Sequence, residues 1–166
     1  MSLTAQSATA DRLNKRELRA WAGLLRAHAS LTRELDAELE VAHGLPLTSL
    51  EVLMNVADAD GERLRMSDLA DRVLLSRSGL TRLVDRLESE GLIERVTCPS
   101  DARGSFAVLT QAGRERLCAG RATHLAGVRE RFLARLSEDE QDALGVIWER
   151  LTGEPADGCA SLSDQA

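Results

Sequence analysis

Between Ser76 and Glu90 the chain reads SRSGLTRLVDRLESE, a stretch whose polar residues fall on one side of a helical wheel. Leu80, Leu83, Val84 and Leu87 share a face and must point into a core. The other face carries Ser78, Thr81, Arg82, Asp85 and Arg86, with Ser76 and Arg77 at the N-terminal flank. Small hydroxyl residues in a first helical turn let a backbone approach closely. Their hydroxyls and the free N–H groups of the helix start suit phosphate oxygens. Arginines one turn later suit guanine O6 and N7, or phosphate. Asp85 is placed to orient Arg82 or to accept from a cytosine amino group. A mixed-charge face is also what a solvated amphipathic helix presents. The segment after the helix favours the nucleic-acid reading.

That segment has two short extended runs, Ile93 to Thr97 and Ser105 to Leu109, around a turn holding Pro99, Ser100, Asp101, Arg103 and Gly104. A hairpin directly behind a helix is a wing. Arg103 at its tip is placed to enter a minor groove, with Asp101 holding the turn and pre-orienting it.

Such residues need a frame to hold them. From Asp11 to about Val41, Trp21, Leu24, Leu25, His28, Leu31, Leu35 and Leu39 recur at steps of three and four, the stripe of a long helix stopped by Gly44 and Pro46. Thr48 and Glu51 read as a capping box for a second helix through Ala57. Ser67 reads as the cap of a short helix to about Leu74, and Ser76 as the cap of the next, closed by Gly91. These two make a helix-turn-helix. Thr110 opens a long helix reaching about Leu136, with Cys118, Leu125, Val128, Phe132 and Leu136 at heptad-like spacing. Ser137 and Glu140 cap a last helix striped by Leu144, Ile147, Trp148 and Leu151.

The sum is a mainly α fold, an α+β winged helix-turn-helix with about six helices and a short β-hairpin wing. Residues 1–10 read as a flexible N-terminus and 153–166 as a disordered tail. Residues 11–152 form one domain, with the DNA-binding winged helix at about 47–110 and dimerisation helices at 11–43 and 110–152. A small winged domain cannot cover the long apolar stripes that include Trp21, Leu125, Val128, Phe132, Ile147 and Trp148, which points to a homodimer.

The 166 residues carry a net charge of −6, which counts against nucleic acid only if charge is spread evenly. The tail after Gly153, with Glu154, Asp157 and Asp164 and no basic residue, supplies half of it. No apolar run approaches the roughly 20 residues of a membrane helix, and the N-terminus lacks a secretory signal, so a cytoplasmic location is expected. Cys98, Cys118 and Cys159 form no CxxC motif and read as reduced thiols. His28, His43 and His124 share no ligand spacing, so no metal or other cofactor is expected. There is no Gly-rich phosphate loop, no GxSxG and no tyrosine; nothing favours an enzyme.

The run Leu75-Ser76-Arg77-Ser78-Gly79-Leu80-Thr81-Arg82-Leu83-Val84-Asp85-Arg86-Leu87-Glu88, followed by Gly91-Leu92-Ile93-Glu94-Arg95, resembles the recognition helix and first wing strand of the MarR family. Asp101-Ala102-Arg103-Gly104 and then Leu109-Thr110-Gln111-Ala112-Gly113 are similar to that family's wing signature, with Ala102 departing from a more common basic or polar residue. The resemblance spans roughly Asp11 to Leu151. It implies a homodimer joined through its terminal helices, reading a pseudo-palindromic duplex operator as a repressor. It also implies relief by a small aromatic or anionic effector. Trp21, His28 and Glu51 lie on elements that border the family's ligand cleft. Trp21 resembles a residue of a urate-responsive subgroup, but Glu51 stands where that subgroup has aspartate.

Two alternatives stand beside this. One is a winged helix used for protein–protein contact, which has no need of Arg82, Arg86 and Arg103 on an outer surface. The other is a thiol-redox-responsive regulator using Cys98 beside the wing turn; relatives that sense peroxide carry the reactive cysteine in the first helix, where this chain has none.

Overall fold

A computed structural model describes residues 12–73, 75–98 and 101–153, with Cys98 and residues 101–103 described by their backbone alone. Packing divides the chain into a unit ending at Glu34 and one beginning at Leu35. Helix α1 (Lys15–His43) starts in the first and continues into the second. Its start is fixed by a reciprocal cap: Asn14 Oδ1 accepts from the Glu17 N–H at 3.0 Å, and the Glu17 carboxylate accepts from the Asn14 N–H at 2.8 Å. Gly44, at φ +58°, ends it.

The second unit holds everything from Leu35 on. Helix α2 (Leu47–Ala57) is followed by strand β1 (Arg63–Arg65), helix α3 (Met66–Arg72), helix α4 (Arg77–Ser89), strands β2 (Ile93–Cys98) and β3 (Asp101–Leu109), helix α5 (Gln111–Arg131) and helix α6 (Glu138–Thr152). The three strands form an antiparallel sheet in the order β1-β3-β2. This is a winged helix-turn-helix. Its core joins Leu39 and Leu45 to Leu50, Leu53 and Val56 of α2, Leu69 of α3, Leu80, Val84 and Leu87 of α4, and Ile93, Ala107 and Leu109 of the sheet. Burying such side chains contributes roughly 1.5–3 kcal/mol each, which fixes the pose of α4.

Several element boundaries differ from the sequence expectation, each for a local reason. Thr48 does not cap α2, because the N-cap is Pro46, whose restricted φ starts the helix sooner. The first helical donor, the Leu47 N–H, which has no partner within the helix, is taken by Asp36 Oδ1 of α1 at 2.8 Å. Ser67 does not cap α3 either: the N-cap is Arg65, at the end of β1, and Ser67 lies inside the helix. Ser76 does cap α4, accepting from the Gly79 N–H at 3.1 Å. Gly91, at φ +72°, closes it while the Leu92 N–H returns to the Leu87 carbonyl at 2.9 Å.

Helix α5 stops at Arg131 and gives way to a 3₁₀ turn at Leu133–Arg135, short of Leu136. Its buried face is not the heptad-like stripe. It is Gly113, Leu117, Gly120 and Gly127, and Cys118 is exposed. Glycine lets the helix backbone come against its neighbours. A Cβ on Gly120 would stand 3.1 Å from side-chain atoms of Leu45 and Leu50, and one on Gly113 would collide with the Leu92 carbonyl oxygen. Thr110 completes that junction: its hydroxyl accepts from the Gly113 N–H at 3.0 Å and donates to the Gly91 carbonyl at 2.7 Å. The expected Ser137–Glu140 capping box opens α6, on which no residue is buried.

Candidate nucleic-acid interface

Helix α4 presents Arg77, Ser78, Thr81, Arg82, Asp85 and Arg86 outward, all exposed, while Leu80, Val84 and Leu87 anchor it below. Ser76 caps the helix and its hydroxyl lies 3.3 Å from that of Ser78, so two hydroxyls cluster at the N-terminal end. The free N–H groups there and the helix dipole favour anions. The Thr81 hydroxyl donates to the Arg77 carbonyl at 2.9 Å. Arg82 Nε donates to the Ser78 carbonyl at 3.3 Å, which lays the guanidinium back along the first turn. Arginine and hydroxyls therefore converge on one end of the helix.

Arg86 is held differently. Its Nη2 donates to the hydroxyl of Ser49 at 2.5 Å, and its Nε lies 3.7 Å from Glu90. Ser49 is fully buried on α2. Arg86 thus braces α4 against the helix behind it while remaining half exposed. Arg82, Arg86, Leu75, Gly79, Leu83 and Thr48 line an open depression of about 290 Å³ between the two helices.

Asp85 does not orient Arg82. It pairs at 2.5 Å with Arg95 Nη1, from β2, and the same guanidinium nitrogen reaches Glu88 at 3.0 Å. Sequence reasoning misses Arg95 because a charged residue in a strand looks like ordinary outward alternation. It misses Ser49 because a serine within an apolar helix carries no signal of its long-range partner.

The wing also differs from expectation. The cluster of Pro, Ser, Asp and Gly residues predicts Asp101 and Arg103 in the hairpin turn. The backbone places both in β3, with Asp101 opposite Cys98 and Ser105 opposite Thr97. Residues 102–104 occupy the register shift between those pairs. The strands therefore run further than the turn-forming composition suggests. Pro99 and Ser100 and the side chains of Cys98, Asp101 and Arg103 lie outside the described residues.

The base of the wing is tied to α5. Arg114 Nε donates to Glu62 at 2.6 Å, Glu62 standing just before β1 at φ +51°. The Arg114 hydrogen bond holds the Glu62 carboxyl below its ordinary range and raises Arg114 in turn. On the sheet, Arg63 and Arg65 flank the Phe106 ring, their guanidinium carbons 5.4 and 5.3 Å from its centroid.

The other residues singled out in the sequence fall on several elements. Trp21 and His28 are exposed on α1 in the first unit, and Glu51 is half-buried on α2 in the second. Leu125, Val128 and Phe132 are half-buried on or just after α5, with Val128 packed on the core. Ile147 and Trp148 are exposed on α6. Among the described residues there is no cluster of His, Cys, Asp or Glu suited to a metal ion, and no helix long and apolar enough to cross a membrane.

Comparison with known proteins agrees with this geometry. The sequence profile described as MarR family matches residues 43–104. The chain is similar to AbsC, a MarR family transcriptional regulator from Streptomyces coelicolor, at 36% identity and a TM-score of 0.76, covering 86% of this chain and 99% of that one. It is similar to Sco3205, a MarR family transcriptional regulator from the same organism solved in complex with DNA, at 35% identity and a TM-score of 0.80, over 89% and 90% of the two chains. Among curated proteins it is 29% identical to the HTH-type transcriptional regulator MhqR of Bacillus subtilis, over 84% of this chain and 93% of that protein.

Proposed function

The chain belongs to the MarR family of transcriptional regulators, and from that premise we propose that it is a homodimeric repressor that reads a pseudo-palindromic duplex operator and is released by a small effector. The observation that carries the reading is the Ser76-capped α4, anchored by Leu80, Val84 and Leu87, with Ser78, Thr81 and Arg82 exposed beside a wing. Arg77, Arg82 and the α4 N-terminus supply phosphate and base contacts in the major groove, and Arg103 on β3 reaches the flanking minor groove. Arg86, held by Ser49, contributes from the edge of the same face.

Two helices support the homodimer. The early part of α1 carries Lys15, Arg16, Arg19, Arg26 and Arg33 against Glu17 and Glu34, and exposes Leu18, Trp21, Leu24 and Leu25. Helix α6 carries Glu138, Asp139, Glu140, Asp142 and Glu149 against Arg150, and exposes Val146, Ile147, Trp148 and Leu151. Opposite charge and exposed apolar surface suit these helices to each other across two copies. The effector is a small aromatic or anionic molecule, and Trp21, His28 and Glu51 are the side chains to substitute in testing it.

The test is binding to duplexes from the protein's own promoter region and to random duplexes across a salt series, with mass measured in the same buffer. A preferred inverted-repeat site, binding that weakens steeply with salt, and a dimer mass support the proposal. Salt-insensitive or absent binding, or a monomeric mass at micromolar concentration, overturns it. A panel of aromatic acids that leaves both thermal stability and DNA binding unchanged overturns the effector part alone.

A further inference from the structure

The reading face of α4 carries a burden: Asp85 and Glu88 stand among the groups that must approach phosphates. Carboxylates near a polyanion repel it, and in a partly dry interface the repulsion is stronger than in water. One residue answers both. Arg95, reaching across from β2, places Nη1 2.5 Å from Asp85 and 3.0 Å from Glu88. Its backbone N–H donates to the other Glu88 oxygen at 3.2 Å, and Nη2 reaches the Thr81 carbonyl at 3.4 Å. Its side chain is 26% exposed, against 54% for Asp85 and 39% for Glu88, so the cation sits behind the carboxylates rather than in front of them.

We propose that Arg95 is a positioning residue for DNA binding: it cancels the two carboxylates of the recognition helix and locks the wing strand to that helix. This rests on the reading of α4 and the wing as the DNA-contacting face. The fork of Arg95 suits the task, because a guanidinium serves two carboxylates and a carbonyl at once, which an ammonium on a flexible stem does less well. Helix and wing then meet DNA as one unit, and the acidic side chains are neutralised within the protein.

The test compares the parent with Arg95→Ala, Arg95→Lys and a triple variant, R95A with D85N and E88Q. Binding to the preferred duplex is measured from low to high salt, alongside thermal melts. Arg95→Ala lowers affinity about tenfold or more at low salt, and the deficit shrinks as salt screens the exposed carboxylates. Arg95→Lys keeps part of the affinity. The triple variant regains part of the affinity, because the repulsion has gone with the cation, and stays below the parent because the strand is no longer tied to the helix. A triple variant as weak as Arg95→Ala overturns the proposal, since it would mean that Arg95 touches phosphate itself or serves only to hold the strand. A parent that binds duplex DNA while Arg95→Ala binds equally well overturns it and leaves the DNA-binding reading standing. A parent that binds no duplex overturns both.

Discussion

The Arg86 guanidinium donates to the Ser49 hydroxyl at 2.5 Å, joining α4 to a fully buried position on α2. A buried hydroxyl without a partner costs free energy, and an ionised donor makes the bond stronger than a neutral one. The pair therefore fixes the rotation of α4 about its axis as well as its depth.

Ser49→Ala removes the acceptor and leaves a half-exposed arginine that water can solvate. We expect a loss of about 1 kcal/mol in urea denaturation. Arg86→Ala leaves the buried hydroxyl unpaired and should cost at least as much. A midpoint unchanged in both variants would mean that the bond does not persist in solution.

Gly113→Ala is the more severe backbone test. The added methyl would collide with the Leu92 carbonyl oxygen, and neither backbone can move without opening the Thr110–Gly91 junction. Overpacking of this kind costs roughly 1–3 kcal/mol or more. Gly120→Ala meets side-chain rather than backbone atoms, those of Leu45 and Leu50 at 3.1 Å and of Leu39 at 3.8 Å, and should cost less. Equal melting temperatures for the two variants would contradict this ordering.

These residues show what was legible in the sequence. The helix-turn-helix, the wing and the Ser76 cap were readable because large apolar residues at helical or strand spacing, and a hydroxyl before a helix, are local signals. The packing face of α5 was not, because a pattern of large side chains cannot register contact made through Gly113, Gly120 and Gly127. Thr48 and Ser67 look like caps by composition, yet Pro46 and Arg65 start those helices. Only the folded chain brings Asp36 to the Leu47 N–H. Likewise Arg95 and Ser49 act on partners in other elements, and no spacing rule reports that. The polar face of α4 was readable as a surface, while which of its charges are already paired was not.

His124 provides a pH test. It is partly buried on α5, its Nδ1 has no partner among the described residues, and desolvation holds its pKa below the ordinary imidazole value of about 6.5. The unfolded chain then binds more protons than the folded one between the depressed value and about 6.5. Stability should rise with pH through that window and be lost as pH falls through it. His124→Gln should flatten that slope in thermal melts across mildly acidic to neutral pH. A slope identical to the parent's would assign the acid sensitivity elsewhere.

The exposed apolar residues of α6 predict a coupling between assembly and binding. Trp148 and Ile147 are 38% and 42% exposed, and a charge at such positions opposes burial against a second copy. A W148E/I147E variant should sediment as a monomer and lose affinity for the full inverted repeat by about two orders of magnitude, since two half-sites then bind independently. Its affinity for a single half-site should match the parent's. A dimeric variant with full affinity would place the interface elsewhere.

Arg82 and Arg103 should divide base reading from phosphate holding. Arg82 bonds the Ser78 carbonyl through Nε, which leaves the Nη pair as the fork that guanine recognition requires. Arg82→Ala should then cost about 1–3 kcal/mol on the preferred site and much less on a site substituted at one base pair. Arg103 sits on β3 at the register shift, beyond the recognition helix. Its loss should weaken preferred and random duplexes alike and reduce the salt slope by about one phosphate's worth of released counterion. If Arg82→Ala lowers all sites equally, the base contact belongs to another residue of the same face, and Arg77, exposed one turn earlier, is the next to test.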